Sequence, residues 1–201
     1  GSQQWNSRQA HIGINTIHHH FSQPLQSSDK PYGIFGINGS SYNNYSIDYG
    51  YTFRNFHAFG EIAIDKHVNK ANLHGLLASL HAQLDIAILY RAISRSYQSL
   101  FSNAFTENTL PVNEKGLYIG MVLRPATGLQ LDFYADCFTF PWLRFKTNAP
   151  SQGQEYLIQL NYTPGKNVEV YTRFRYEKKT GTTEPKKNWR TQIACKPSRQ
   201  F

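Results

Sequence analysis

The stretch EYLIQLNYT, residues 155–163, decides the fold class of this chain. Its side chains alternate with a period of two, so one face of an extended strand carries Tyr156, Ile158, Leu160 and Tyr162. The opposite face carries Leu157, Gln159 and Asn161. One mainly apolar face and one polar face are typical of a strand in an antiparallel sheet.

The same alternation recurs in residues 84–91, 117–124 and 168–177. It predicts an all-β fold: an antiparallel up-and-down meander of about ten strands that forms a β-barrel or a large part of one. Two kinds of barrel share this pattern, a membrane barrel with a polar lumen and a soluble barrel with an apolar interior. The direction in which the apolar face points therefore decides the function.

The positions of the lysines favour the membrane barrel. All eleven fall in segments that we predict to be loops: Lys30, Lys66, Lys70, Lys115, Lys146, Lys166, Lys178, Lys179, Lys186, Lys187 and Lys196. A soluble barrel places lysine on its outer face and at its open edges. The polar face of the predicted strands instead carries Arg, Asp, Tyr, Gln and Asn, and Arg–Asp pairs suit a crowded, wet interior.

Aromatic residues are placed as a lipid-facing band requires. Tyr156 and Tyr162 flank the aliphatic Ile158 and Leu160, and the two tyrosines lie roughly 20 Å apart along an extended strand. The apolar band of a membrane barrel is about 25 Å tall and has aromatic girdles. Further belt positions are predicted at Tyr90, Phe133, Phe174 and Tyr176. A soluble core filled by these rings is the competing interpretation.

Length and composition are compatible with one large β domain. The chain has 201 residues without a linker-like segment, which predicts a single domain over residues 1–201. It has no run of eighteen apolar residues, which argues against membrane-spanning helices. Gly1-Ser2 resembles a cloning remnant, and a turn at 196–198 followed by the start of a strand at 199–201 predicts a fragment of a longer chain.

Connection lengths add a second regularity. We predict strands near residues 45–53, 56–65, 74–80, 84–91, 116–124, 129–138, 155–163, 168–177 and 189–195, with less regular strands at 9–17 and 32–38. The connections alternate between short and long, so one end of the meander has tight turns and the other has long loops. In an outer-membrane barrel these are the periplasmic and extracellular ends.

The net charge of +8 at pH 7 points to anionic partners. Loop lysines that meet outer-membrane lipid and lipopolysaccharide are one explanation, and DNA or other envelope proteins are the partner classes left open. Lys178-Lys179 and Lys186-Lys187 bracket one predicted outer loop, and Trp189 follows. No nucleic-acid-binding motif accompanies them.

Metal and catalytic chemistry have little support in the spacing of the residues. His18-His19-His20 and His11 have no carboxylate at ligand spacing, so we predict no metal and no cofactor. We expect Cys137 and Cys195 to be small apolar positions without a disulfide. A hydrolase at the rim would need residue types supplied by His57, His74, Ser79, His81, Asp65 and Asp85. Nothing in their spacing brings them together, and we predict a protein without enzymatic activity.

The connection at residues 90–124 is the segment most suited to a specific function. Long connections are usually functional, disordered or folded onto the body of the domain, and the interleaved Tyr and Phe favour a plug or constriction. Residues 136–144 form a second aromatic-rich rim segment. The candidate lumen and long-loop residues are Arg91, Tyr97, Glu107, Asn108, Asn113, Glu114, Arg124, Asp136, Trp142, Arg144, Arg173 and Arg175.

At these segments a family resemblance is found. The stretches LYRAISRSYQSLFSNAFTENTLPVNEKGLYIG (89–120), YADCFTFPWLRF (134–145) and GQEYLIQLNYTP (153–164) resemble the barrel portion of Bacteroidetes-type outer-membrane proteins, often labelled helix-hairpin-helix or DNA-uptake-like. The resemblance covers roughly residues 45–195. It implies a barrel and its outer-membrane location. No helix-hairpin-helix segment occurs in this chain to which a DNA-binding role could be assigned.

The sequence therefore predicts an outer-membrane β-barrel component of a Gram-negative bacterium, non-enzymatic, with a role in transport, uptake or envelope scaffolding. The first alternative is a soluble up-and-down barrel that binds an apolar ligand, in which the apolar face would be interior. The second is an outer-membrane lipid-modifying hydrolase, which would require a Ser, a His and a carboxylate within hydrogen-bond reach at the rim.

Overall fold

Eleven antiparallel strands form one sheet in the computed structural model, which describes residues 1–145, 147–165, 167–181 and 184–195. The strands are β1 (Ser2–Asn6), β2 (Ala10–Leu25), β3 (Gly39–Phe53), β4 (Phe56–Asp65), β5 (Lys70–His81), β6 (Leu84–Ile93), β7 (Glu114–Ala126), β8 (Leu129–Phe140), β9 (Ser151–Gly165), β10 (Val168–Lys179) and β11 (Lys186–Cys195). The described residues include no helix long and apolar enough to cross a bilayer.

Each strand pairs with the next strand along the chain, in the order β1 to β11. The predicted all-β up-and-down meander is confirmed, with eleven strands where about ten were predicted. β4 has the predicted bounds, whereas β9 begins at Ser151 and ends at Gly165, beyond both predicted ends. The other strands are also longer than predicted, because the backbone ladder continues past the last side chain that shows the alternation.

The prediction of a strand at residues 32–38 was wrong. This segment begins with a 3-10 turn at Pro31–Gly33. The backbone N–H of Gly33 donates to the carbonyl of Lys30 at 2.7 Å, and that of Gly36 donates to the carbonyl of Gly33 at 2.8 Å. Proline and glycine favour such local turn bonds over a ladder, which explains the difference.

Two further differences lie in the N-terminal third. β2 continues to Leu25, although a loop was predicted from residue 18 onwards. β1 was not predicted, and its first residue, Ser2, lies opposite Asn15 of β2. A five-residue strand shows too few alternating positions to be recognised from the pattern.

The apolar face of the sheet is the exposed face. Ile47 and Ile158 are each 52% exposed, and Ile119 is 41% exposed. Directly paired residues share a face, and Ile47 lies opposite Ile62, which is also exposed. Most of the exposed large apolar side chains therefore lie on the outward face, and most of the charged and amide side chains lie on the inward face. Ile17 and Leu77 are exceptions that point inward.

The inner face of the sheet curves around the loop of residues 94–113. This loop contacts β3 through Asn44, β7 through Glu114 and β10 through Lys179. Strands seven places apart can touch one loop only if the sheet curls, so the sheet forms a large part of a barrel wall. The small buried core lies here, where Tyr97 packs against Ala63 and Ile93.

The two ends of the wall are built differently. At one end lie the connections β1–β2, β3–β4, β5–β6, β7–β8 and β9–β10. At the other end lie the connections β2–β3, β4–β5, β6–β7, β8–β9 and β10–β11. We call these the turn end and the loop end.

The prediction that all eleven lysines lie in loops was wrong. Six lie within strand bounds: Lys70, Lys115, Lys178, Lys179, Lys186 and Lys187. All six are in the first two or last two positions of their strands, at the loop end. The ladder simply extends beyond the apolar band, so the lysines are excluded from the band and not from the strands. Lys146, Lys166 and Lys196 lie outside the described residues.

The outermost strands of the described sheet are β1 and β11. Each pairs with one neighbour, β2 and β10 respectively. In an up-and-down meander all odd-numbered strands run in the same direction, so β1 and β11 are parallel to each other.

Candidate functional site

A buried ion cluster lies on the inner face near the loop end. It is formed by Arg91 of β6, Glu114 at the start of β7 and Asp136 of β8. The Nε of Arg91 donates to Glu114 Oε1 at 2.6 Å. Its two terminal nitrogens donate to the two oxygens of Asp136 at 2.9 and 3.0 Å. Arg91 and Glu114 are both 0% exposed, so this is a planar, charge-assisted pairing shielded from water.

Aromatic rings enclose the guanidinium of Arg91. Its Cζ lies 5.5 Å from the centre of the Phe105 ring and 6.0 Å from that of Phe138. Gly116 lies opposite Arg91 on β7, and a Cβ there would approach the Arg91 Cζ to 2.4 Å. The glycine therefore provides the space in which the guanidinium lies against the wall.

The same cluster fastens the long loop to the wall. The backbone N–H groups of Glu107 and Asn108 donate to the Glu114 carboxylate at 2.9 to 3.1 Å. The Nζ of Lys179 donates to Glu107 Oε1 at 2.5 Å and lies 2.6 Å from Glu177 Oε1. The loop is thus attached to β7 and to β10 by ionised groups.

The other half of the loop is attached to β3 and β4. The Nδ2 of Asn44 donates to the carbonyl of Gln98 at 2.8 Å and to the hydroxyl of Tyr97 at 3.5 Å. The backbone N–H of Gln98 donates to Asp65 Oδ2 at 3.1 Å. Burial raises the pKa of the Tyr97 hydroxyl, so this side chain is a neutral hydrogen-bonding group. The loop spans the lumen from one wall to the other.

Three long connections meet at the loop end, through Phe35, Arg95 and Trp142. The guanidinium of Arg95 lies 4.6 Å from the ring of Phe35 and 4.8 Å from the ring of Trp142, between the two. The Nε1 of Trp142 donates to the carbonyl of Pro31 at 3.2 Å. Asn113 accepts from the backbone N–H of Trp142 at 2.8 Å and donates to its carbonyl at 3.0 Å. Together these contacts join the three connections to one another. We call residues 94–113, together with Phe35 and residues 141–145 that contact them, the plug.

The lumen below the plug is lined by polar groups. Asp132 accepts from the side-chain amides of Gln130 at 2.7 Å and Asn161 at 2.9 Å, and from Gln159 at 3.3 Å. On the facing wall Asp48 accepts from Asn15 at 2.7 Å and lies 3.2 Å from His11. Such rows of charges and amides are typical of the polar interior of a membrane barrel.

The candidate residues predicted from the sequence separate into three groups. Arg91, Glu107, Asn108, Glu114 and Asp136 come together in the ion cluster. Tyr97, Asn113, Trp142 and Arg144 belong to the rest of the plug, where the Arg144 guanidinium lies 3.5 Å from the centre of the Phe140 ring. The remaining residues are wall arginines. Arg124 and Arg173 lie away from the cluster, whereas Arg175 lies beside it, because its partner Glu155 is directly opposite Asp136.

The three wall arginines have different surroundings. Arg124 lies next to the turn end and pairs with Asp85 at 2.6 Å. Arg175 pairs with Glu155 at 2.5 Å, and the Tyr134 hydroxyl donates to the same carboxylate. Arg173 points to the lumen, with its guanidinium 5.9 Å from the Tyr171 ring.

Sequence reasoning missed several residues that build the plug. Phe105 and Phe138 enclose Arg91, Lys179 holds Glu107, and Arg95 joins the rim loops. Arg175 and Lys179 are four residues apart on β10, so the period of two puts both on the same face. The sequence could therefore have predicted an inward Lys179. No sequence signal joins Arg95 to Phe35 or Trp142, because these residues lie on three separate connections.

Among the residues considered for a hydrolase, Ser79 and Asp85 lie directly opposite each other and are hydrogen-bonded, and Asp85 is also paired with Arg124. The three histidines have other partners. His57 bonds with Thr52 at 2.8 Å and His74 with Tyr49 at 3.0 Å. His81 Nδ1 accepts from the backbone N–H of Gln83 at 3.3 Å. In the part of the chain that the structure describes, no group of three His, Cys, Asp or Glu side chains could hold a metal ion.

No family model and no curated protein sequence matches this chain. Two solved structures are similar to it. The NanC porin, in a rhombohedral crystal form, is 9% identical with a TM-score of 0.49, over 98% of this chain and 98% of the porin. OccK3 (OpdO) of Pseudomonas aeruginosa is 11% identical with a TM-score of 0.41, over 94% of this chain and 67% of that protein.

Proposed function

We propose that this protein is a channel-forming component of the outer membrane of a Gram-negative bacterium, whose strands cross the bilayer and whose lumen admits small polar solutes. The observation that carries the proposal is the inverted arrangement of the wall: large apolar side chains point outward, and ionised and amide groups point inward. A soluble barrel that binds an apolar ligand needs the opposite arrangement.

The outward apolar surface is too extensive for a water-exposed face. It runs across the sheet from Ile12 and Ile14 on β2 to Ile193 on β11, all of them at least 48% exposed. Soluble monomers rarely expose a contiguous apolar patch larger than a few hundred Å². On β9 the outward side chains end in Tyr156 and Tyr162, which fits an aromatic girdle at each membrane interface.

Charge supports one orientation in the membrane. Lys70, Lys115 and Lys178 are exposed and lie on the outward face at the loop end, beyond the apolar band. Lys187 on β11 has the same placement, opposite Tyr176. Such a ring of ammonium groups suits the phosphates of lipopolysaccharide, so the long loops face outside. Lipopolysaccharide and other outer-membrane lipid are the partners we propose.

The plug favours selective passage over a wide pore. Its attachments to β3, β7 and β10 hold residues 94–113 across the lumen. A channel narrowed in this way passes small solutes and excludes large ones. This supports transport over a purely structural role.

The proposal is tested by reconstitution. The protein is purified in detergent, inserted into liposomes, and examined for stepwise conductance in a planar bilayer. We expect insertion and discrete current steps. A monodisperse protein that needs no detergent and does not enter bilayers would contradict the membrane assignment.

A matched pair of variants tests which face meets lipid. Ile158→Arg places a charge in the middle of the outward band, and we expect it to lower the stability in vesicles by about 2–4 kcal/mol. Gln159→Arg changes the neighbouring inward position, where the Asp132 carboxylate, which accepts from Gln159 at 3.3 Å, can pair with the new arginine. We expect its effect to be small. Urea titration followed by tryptophan fluorescence measures both, and equal losses would contradict the proposed orientation.

A further inference from the structure

We propose that the inner wall of β10 and β11 carries a binding site for a small carboxylate solute between Arg173 and Arg190. This inference deepens the proposed function, because it names the class of solute that the channel takes. It depends on an arrangement of charge that neither the fold nor the plug requires.

The two arginines lie directly opposite each other. Arg173 of β10 pairs with Arg190 of β11 in the ladder, so both side chains share one face. Arg173 lies two residues from Arg175, whose partner Glu155 is on the inner face. Like charges directly opposite each other destabilise a sheet, and this cost needs a compensating role.

Neither arginine has a carboxylate partner among the described residues. Within those residues the other inward-facing arginines of the strands are all paired: Arg91 with Glu114 and Asp136, Arg124 with Asp85, and Arg175 with Glu155. Asp132 lies in the same cross-strand row as Arg173, but it is on β8, two strands from β10. Its carboxylate already accepts hydrogen bonds from three side-chain amides. The wall therefore supplies an acid to each of these arginines except the opposed pair.

A second, independent observation points to a ligand. The Nε of Arg173 is shielded from solvent and has no hydrogen-bond partner in the described structure. A buried donor without an acceptor costs free energy, which a bound oxygen would recover. Amide side chains flank the pair on the same face, Asn188 and Gln192 on β11 and Gln159 on β9.

The geometry suits a carboxylate. The guanidinium presents planar, parallel N–H donors that match the two oxygens of a carboxylate, and two guanidiniums that project from the same face can hold one such group side by side. The neighbouring amides can both donate to and accept from hydroxyl groups. A small hydroxylated carboxylate is the class of solute that satisfies all these groups.

The test uses sodium gluconate as the probe, with sorbitol as its uncharged counterpart. Calorimetric titration of the detergent-solubilised protein measures binding without requiring conductance. We expect gluconate to bind and sorbitol not to bind. Arg173→Gln and Arg190→Gln should each weaken gluconate binding by about tenfold or more, as the loss of a hydrogen bond to a charged group implies.

The control variant is Arg124→Gln, which removes an inward arginine that already has an acid partner. It should leave gluconate binding within about twofold of the parent, since that guanidinium is already engaged with Asp85. Circular dichroism of each variant establishes that the sheet is intact. Binding that is absent from the parent protein, or that survives in the Arg173→Gln/Arg190→Gln variant, would overturn the site.

A second readout separates this site from the channel itself. In a salt gradient the parent channel should be anion-selective, and the double variant should shift the reversal potential towards cation selectivity. A protein that binds gluconate but never conducts would refute the channel and retain the site. A protein that conducts without binding gluconate would retain the channel and refute the site.

Discussion

Arg91 and Arg173 project from the same inner wall, but their surroundings differ in charge and in access to water. Arg91 lies under the plug, 0% exposed, with two carboxylates and two aromatic rings around it. Arg173 lies on the open wall, opposite another arginine and without an acid partner in the described residues. The first arginine is committed to holding the structure, and the second remains available to a solute.

The difference separates an arginine that stabilises the fold from an arginine that can bind a solute. A buried cation is tolerated only when paired acids and hydrogen bonds compensate its loss of water. A cation that is only partly buried, as Arg173 is, keeps part of its hydration, so the protein can leave it without an acid partner. An inward arginine without an acid partner is therefore a more informative functional candidate than one in a satisfied cluster.

The largest effect is expected from Arg91→Met. This change leaves Glu114 and Asp136 buried without their cation, and we expect a loss of about 3–5 kcal/mol of stability. The matched control is Arg124→Met, which breaks an exposed pair and should cost about 1 kcal/mol or less. Urea titrations in detergent measure both, and similar losses would mean that the buried cluster has no special structural role.

A smaller effect is expected from Glu114→Gln. The amide cannot accept from Arg91 and from the backbone N–H groups of Glu107 and Asn108 as the carboxylate does. We expect a loss of about 1–3 kcal/mol, together with release of the plug. Hydrogen exchange should rise in residues 94–113 and stay unchanged in β9 and β10, and single-channel conductance should increase. An unchanged exchange rate in the plug would contradict the assignment of Glu114 as its anchor.

The smallest effect, of opposite sign, is expected from Arg173→Gln. Removal of one of two opposed like charges should leave the stability unchanged or raise it by about 0.2–1 kcal/mol. The changes in stability caused by Arg173→Gln and Arg91→Met should then differ in sign as well as in size. A clear loss of stability in the Arg173→Gln protein would mean that this arginine is structural, like Arg91.

Much of the fold follows from the alternation in the sequence. Strand β4 was predicted with its observed bounds, and the short and long connections were assigned to opposite ends. The prediction failed at residues 32–38, where proline and glycine direct a turn, and at β1, which is too short to show a period. The lysines were placed correctly at the margin of the band but wrongly outside the strands, because apolar patterning marks the membrane band and not the ends of the ladder.

Less of the candidate site could be predicted. Arg91, Glu114 and Asp136 were all named as candidates, but nothing in the sequence joined them, since Arg91 and Asp136 are 45 positions apart. The like-charged pair Arg173 and Arg190 also escaped notice, because only Arg173 was named and the opposition depends on the register of β10 and β11. The resemblance to Bacteroidetes-type proteins and a DNA or envelope-protein partner stay predictions.

The sequence by itself determined the two-faced strands, the meander and the contrast between its ends, because these are local consequences of side-chain order along an extended chain. Only the tertiary structure decided that the apolar face points outward, that residues 94–113 cross the lumen, and which inward arginines have acid partners. Those properties depend on how the sheet curls and on the register between strands. Groups far apart in sequence meet only after curvature and register are fixed.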